Sequence, residues 1–84
     1  MQQYSPQQLK TRKAVVVFLK NNGAPLILYV EESETLYNEI KQLITSANEA
    51  SPKLVEKSCK GPVKKFAVLD TMIAGVAIQE EPYV

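Results

Sequence analysis

The stretch Ala14-Val15-Val16-Val17-Phe18-Leu19-Lys20 decides the fold class, because β-branched and aromatic residues fill it and a turn follows it. The turn, Asn21-Asn22-Gly23-Ala24-Pro25, contains residues that tolerate a positive φ and a proline that cannot donate a ladder hydrogen bond. A second apolar stretch, Leu26-Ile27-Leu28-Tyr29-Val30, comes next. This pattern predicts two antiparallel strands joined by a short turn.

Downstream of these strands, the sequence predicts one amphipathic helix of about 15 residues. Ser33 is a good N-cap, and the carboxylates of Glu31, Glu32 and Glu34 favour the positive end of a helix dipole. The apolar stripe of the helix consists of Leu36, Tyr37, Ile40, Leu43, Ile44 and Ala47. Ser51-Pro52 ends the helix or follows its end.

Two or three further strands follow the helix. Residues 53–59 are the weaker candidate, whereas residues 65–69 and 73–78 have stronger strand patterns. The element order is therefore strand, strand, helix and then two or three strands. We expect an α+β fold, in which an antiparallel sheet of four to five strands carries the helix on one face.

The polar ends of the chain bound a single expected domain at residues 14–79. Residues 1–13 are Gln-rich and predict a flexible polar arm, with a short strand on a sheet edge as the alternative. Residues 80–84 predict a polar tail in which Pro82 stops strand pairing. The start shows neither a basic leader nor an apolar run, so we expect a cytoplasmic protein that does not engage a membrane.

The composition of the 84 residues argues against most catalytic and metal-binding classes. The chain has a net charge of +1, no His and one Cys. Without His there is no Ser-His-Asp triad, no Cys-His pair and no imidazole ligand. One Cys cannot form an internal disulfide or a multi-thiolate zinc site. We therefore expect no enzyme activity, no cofactor and no metal.

Three segments of the second half carry a family resemblance. They are Ser51-Pro52-Lys53-Leu54-Val55-Glu56-Lys57-Ser58-Cys59, Lys64-Lys65-Phe66-Ala67-Val68-Leu69 and Ile73-Ala74-Gly75-Val76. Together with a looser match in the first half, these segments resemble a small family of cyanobacterial proteins of unknown function, over about residues 16–79. The resemblance implies a compact cytosolic protein of a photosynthetic bacterium. It implies no activity, substrate or catalytic residue.

Both faces of the first two strands are apolar. Alternation places Val15, Val17 and Leu19 on one face and Ala14, Val16 and Phe18 on the other. A single helix covers only one face of a sheet, so the second face needs another cover. Three covers stay open: the chain's own arm or tail over a curled sheet, a second copy, or a different protein.

These observations predict a non-enzymatic protein–protein interaction or assembly module that uses an apolar sheet face. We expect it to pair with itself as a homodimer or to bind another cytosolic protein. The predicted interface residues are Val15, Val17, Leu19, Leu26 and Leu28. The alternation does not decide which face the helix covers.

The alternative prediction is a nucleic-acid-binding module that uses the basic segment at residues 53–65. Its predicted anion contacts are Lys57, Lys60, Lys64 and Lys65. The segment lacks Arg for bidentate base contacts and has only Phe66 nearby for stacking, and lysines also discourage edge-to-edge strand pairing. Cys59 is expected to be a small core or surface thiol, because no second Cys could resolve an oxidised form.

Overall fold

A computed structural model describes residues 10–21 and 23–83 of the chain. These residues form five strands and one α-helix. The elements are β1 (Lys10–Leu19), β2 (Leu26–Leu28), α1 (Ser33–Ser46), β3 (Leu54–Ser58), β4 (Lys65–Leu69) and β5 (Ile73–Tyr83). A short 3-10 helix, Asp70–Met72, joins β4 to β5. Antiparallel strands with one helix confirm the predicted α+β class.

The five strands divide into two sheets rather than forming one. The larger sheet has the order β2-β1-β5, and β3 and β4 form a separate hairpin. One bridge connects the two sheets, where Lys60 N donates to Tyr29 O at 2.7 Å. The hairpin stays separate because its buried residues, Val55 and Phe66, turn inward to the common core.

The structure corrects both expected domain ends. β1 starts at Lys10 instead of residue 14, and β5 continues to Tyr83, with Thr11 opposite Pro82. Opposite charges face each other along this ribbon, since Lys13 pairs with Glu80 in the register. A proline is tolerated here because β5 is an edge strand. The rest of the predicted arm, residues 1–9, and residue 84 lie outside the described residues.

The helix begins one residue earlier than predicted, at Ser33 itself. The N-cap is Glu32, whose backbone oxygen accepts the Leu36 N–H at 3.0 Å, and Ser33 is buried in the first turn. The cap makes no side-chain hydrogen bond. The helix ends at Ser46, well before Ser51-Pro52. No helix in the described part of the chain is long and apolar enough to cross a membrane.

The core lies on one face of the three-stranded sheet. Val15, Val17, Leu28 and Ile40 are its largest fully buried side chains. The helix packs mainly against β5 and then against β1, and the hairpin adds its inner face to the same cluster. We call this the helix-side face. The opposite face carries neither the helix nor the hairpin.

Candidate interaction surface

The opposite face of the sheet, here called the open face, is defined by the strand registers. Side chains at paired positions of antiparallel strands point to the same face. The open face therefore consists of Arg12, Ala14, Val16, Phe18, Ile27, Tyr29, Gly75, Ala77, Gln79 and Glu81. It has an apolar end around Phe18 and a polar end around Arg12.

Two large side chains are exposed at the apolar end. Phe18 is 44% exposed and Ile27 is 39% exposed, whereas Val16 between them is only 5% exposed. The Phe18 ring lies beside Gly75, and a Cβ at that glycine would sit 3.7 Å from Phe18 Cδ2. Gly75 and Ala77, opposite Phe18 and Val16 in the register, add little side-chain volume here. Phe18 and Ile27 thus form a small exposed apolar patch, which is the candidate contact surface of this face.

The polar end is a hydrogen-bonded cluster. Arg12 Cζ lies 4.0 Å from the centroid of the Tyr29 ring, a cation–π contact. Glu81 Oε1 accepts hydrogen bonds from the Tyr29 hydroxyl at 3.1 Å and from Arg12 Nε at 3.2 Å. Its other oxygen accepts from Gln79 Nε2 at 2.9 Å. The charges at this end therefore neutralise each other inside the chain.

Glu81 stays ionised in this cluster. Desolvation of Glu81 raises the pKa of its carboxyl, but the hydrogen bonds from Tyr29, Arg12 and Gln79 outweigh that effect. The nearby positive charge of Arg12 acts in the same direction as the hydrogen bonds. The net result is a pKa below the ordinary value of a glutamate. The carboxylate of Glu81 therefore carries its negative charge at neutral pH.

The turn between β3 and β4 holds Tyr29 from its other side. Gly61 has a φ of +84°, and a Cβ there would lie 2.7 Å from Tyr29 Cδ2. Only glycine combines this backbone conformation with so close an approach to the ring. The hairpin turn therefore fixes one border of the open face.

The predicted interface residues lie on the helix-side face, which corrects their assignment. Val15, Val17 and Leu28 are fully buried in the core of the chain itself. Leu19 and Leu26 are half-buried and pack against the same core. The helix and the hairpin already cover Val15, Val17 and Leu28 completely, so these three are unavailable to a partner.

The basic segment does not form one surface. Lys57 Nζ donates to Glu39 on the helix, and Lys60 Nζ donates to Glu31 at 2.6 Å. The hydrogen bond and charge of Lys60 also lower the pKa of Glu31. Lys65 points away from Lys57, because the register places Lys57 opposite the buried Phe66.

Lys64 is exposed in the turn before β4 and, like Lys65, has no ion pair within the described residues. Two of the four predicted anion contacts are thus neutralised by carboxylates. The other two lie at the same end of the hairpin. A pair of lysines is a small anion-binding surface compared with the several phosphate contacts of nucleic-acid-binding proteins.

A second apolar patch lies on the outer face of the hairpin. Leu54 is 63% exposed and faces Leu69, which is 41% exposed, across the two strands. Ala67 lies on the same face, with the charged side chains of Glu56 and Lys65 beside it. The charged neighbours limit this patch to one leucine pair.

Cys59 lines an open groove next to the start of the helix. The groove has a volume of about 450 Å³ and is lined by Val30, Glu31, Glu32, Ser58, Cys59 and Lys60. Burial raises the pKa of the Cys59 thiol. A raised pKa reduces the thiolate fraction at neutral pH and so lowers reactivity.

The Asp70 side chain is buried and hydrogen-bonds to the backbone of Lys53. Its Oδ1 accepts the Lys53 N–H at 3.0 Å, while its own N–H donates to Lys53 O at 2.8 Å. These bonds connect the start of the hairpin to the 3-10 helix. In the described ranges, no group of three or more Cys, Asp or Glu side chains is placed to hold a metal ion.

The sequence interpretation missed the Arg12–Tyr29–Glu81 cluster, because these residues are far apart in the chain. The alternation gave no indication of which face the helix would cover, because both faces of β1 carry large apolar residues: Val17 and Leu19 on one, Val16 and Phe18 on the other.

The chain matches no protein-family model, no curated protein and no solved structure. The resemblance to a cyanobacterial family therefore stays a prediction.

Proposed function

We propose that the chain is a cytoplasmic, non-enzymatic assembly module that binds a second copy of itself through the open face. The observation that carries the proposal is the exposure of Phe18 and Ile27 beside the buried Val16. The surface that supports self-association is thus opposite to the one predicted from the strand pattern. The raised thiol pKa of Cys59 also fits a non-enzymatic role.

A second copy fits this face better than a charged partner. Arg12 and Glu81 neutralise each other inside the polar end, so the face offers little charge to attract nucleic acid or an acidic protein. A two-fold axis would place equal apolar areas against each other, as in other isologous interfaces. The nucleic-acid alternative has less support, because Lys57 and Lys60 are paired with carboxylates.

Simple energetics indicate that this face alone gives weak association. Fully burying a large apolar side chain is worth about 1.5–3 kcal/mol, so covering the exposed parts of Phe18 and Ile27 on two copies contributes about 2–5 kcal/mol. Association costs about 4–15 kcal/mol in lost translational and rotational freedom. The test therefore needs a concentration series that extends to high micromolar protein.

Light scattering after size-exclusion chromatography tests the proposal with two matched variants. Phe18→Glu places a charge on the open face and is expected to reduce the measured mass. Leu54→Glu places the same charge on the exposed hairpin patch and is expected to leave the mass at the wild-type value. A wild-type chain that remains monomeric at high micromolar concentration would overturn the proposal.

A further inference from the structure

The outer edge of β5 is the second surface on which a partner fits. β5 is an edge strand of eleven residues, since the sheet order is β2-β1-β5. The opposite edge of the sheet, at β2, meets Lys60 of the hairpin turn. No strand of the described chain pairs with the outer edge of β5.

The bridge at β2 reveals which backbone groups of β1 face β5. Tyr29 O accepts the Lys60 N–H, so the backbone of Tyr29 faces away from β1. Backbone N–H and C=O groups alternate in direction along a strand, and Leu28 therefore faces β1, where its register partner is Val15. The backbone N–H and C=O groups of Val15 therefore point toward β2.

The same alternation then fixes the direction of the β5 backbone. The backbone N–H and C=O groups of Val16 point toward β5, and those of its register partner Ala77 point toward β1. The N–H and C=O groups of Val76, Ile78 and Glu80 consequently point out of the sheet. None of these three residues makes a backbone hydrogen bond outside the strand ladder to any described residue. Such a row of outward backbone donors and acceptors can form hydrogen bonds with an extended strand.

Apolar side chains flank this edge on the helix-side face. The helix packs mainly against β5, and Ile44 of the helix and Val76 of the strand both pack against the core. Val76 and Ile78 are half-buried, so part of their apolar area remains exposed beside the outward backbone groups.

We propose that β5 pairs antiparallel with β5 of a second copy, about a two-fold axis at Ala77. Val76 then exchanges backbone hydrogen bonds with Ile78 of the other copy, and Ala77 faces its own counterpart. Both register pairs are apolar. The two Glu80 side chains lie about 20 Å apart in this arrangement, whereas parallel pairing would place them side by side.

This edge is a different surface from the open face and gives a different assembly. Edge pairing joins two three-stranded sheets into one six-stranded sheet with both helices on the same side. Its open faces stay uncovered and can pack against those of a second such pair. Used together, the two surfaces assemble four copies with closed symmetry.

The proline variant Ile78→Pro tests the edge, because it removes an outward N–H that the single chain does not use. Ile78→Ala is the matched control, since it shortens the same side chain and keeps the N–H. In native mass spectrometry and light scattering we expect four copies for wild type, and a smaller loss of mass for Ile78→Ala than for Ile78→Pro. We expect the mass to fall by half for Ile78→Pro and for Phe18→Glu, and to reach that of a monomer for the double variant. Circular dichroism of each variant checks that the fold is retained.

The outcomes separate the two proposals. If Ile78→Pro folds and keeps the wild-type mass, the edge proposal is wrong and the open-face proposal stands or falls with Phe18→Glu. If Phe18→Glu keeps the mass and Ile78→Pro lowers it, the edge proposal stands and the open-face proposal is wrong. A wild-type chain that is monomeric at every concentration overturns both.

Hydrogen exchange on the wild-type chain tests the edge without a variant. Edge pairing protects the amides of Val76, Ile78 and Glu80, together with the inward amides of Ala77 and its neighbours. We therefore expect uninterrupted slow exchange along the middle of β5, with the outward amides accelerating on dilution. Alternating fast and slow exchange at high protein concentration would overturn the edge proposal.

Discussion

The two faces of the three-stranded sheet use one central strand in different ways. β1 contributes Val15 and Val17 to the helix-side face, where the helix and the hairpin cover them completely. The same strand contributes Phe18 to the open face, where its ring lies over Gly75 and remains exposed. An apolar pattern on both faces therefore predicts that two covers are needed, and residues 10–21 and 23–83 supply only one of them.

The largest expected effect on the free energy of unfolding comes from comparing one isoleucine on each face of the sheet. Ile40 of the helix is fully buried over the sheet, and truncation in Ile40→Ala leaves a cavity that costs about 2–5 kcal/mol. Ile27 on the open face is partly exposed, and Ile27→Ala is expected to cost about 1 kcal/mol or less. Urea denaturation at low protein concentration measures both changes, and equal losses would contradict the distinction between the faces.

The next largest effect on stability concerns Gly61 of the hairpin turn, which lies against Tyr29 at one border of the open face. Gly61→Ala forces a side chain into a positive φ and against the Tyr29 ring, which we expect to cost about 1–3 kcal/mol. Gly23→Ala is the control, because its new Cβ meets nothing within 4 Å. Thermal unfolding of the two variants gives the comparison. Similar midpoints would show that Tyr29 can move away from the turn.

The strand and helix patterns predicted most of this fold because they depend on local periodicity. The helix stripe through Leu36 and Ile40 and the strand at residues 65–69 both lie where the alternation of apolar residues indicated. The ends of β1 and β5 were missed for the opposite reason. Residues 10–13 and 80–83 are polar, and only their pairing with each other makes them strands.

The candidate surface was less predictable than the fold. Alternation assigned side chains to faces correctly, but it could not say which face the helix would cover, since both were apolar. The interface assigned to Val15 and Val17 therefore fell on the core. The cluster of Arg12, Tyr29 and Glu81 needed the β1–β5 register, which is a long-range property.

A smaller effect is expected when the open face loses its aromatic ring. Phe18→Thr introduces a β-branched residue suited to a strand and removes an aromatic side chain that is already 44% exposed. In dilute solution we expect the free energy of unfolding to change by no more than about 0.5–1 kcal/mol. The same denaturation assay at high concentration should show a larger loss, because assembly through this face stabilises the wild type. A large loss at every concentration would mean that Phe18 supports the fold and not an interface.

The smallest effect is a pH dependence at the polar end of the open face. The pKa of Glu81 is lowered in the folded chain, so its contribution to stability is present above the ordinary carboxyl pKa of 4.5 and is lost as the pH falls through the lower folded value. Glu81→Gln should therefore lower the thermal midpoint at neutral pH and converge with the wild type in acid.

Glu56→Gln is the control for that profile, because Glu56 is exposed on the outer hairpin face and makes no ion pair with the described residues. Some acid sensitivity should persist in Glu81→Gln, since Lys60 also lowers the pKa of Glu31, and this ion pair does not include Glu81. Parallel profiles for wild type and Glu81→Gln, with a constant offset down to acid pH, would show that neutral hydrogen bonding holds the polar end together. The ionic contribution of Arg12 and Glu81 would then have to be discarded, and with it the distinction between a charged and an apolar end of the open face.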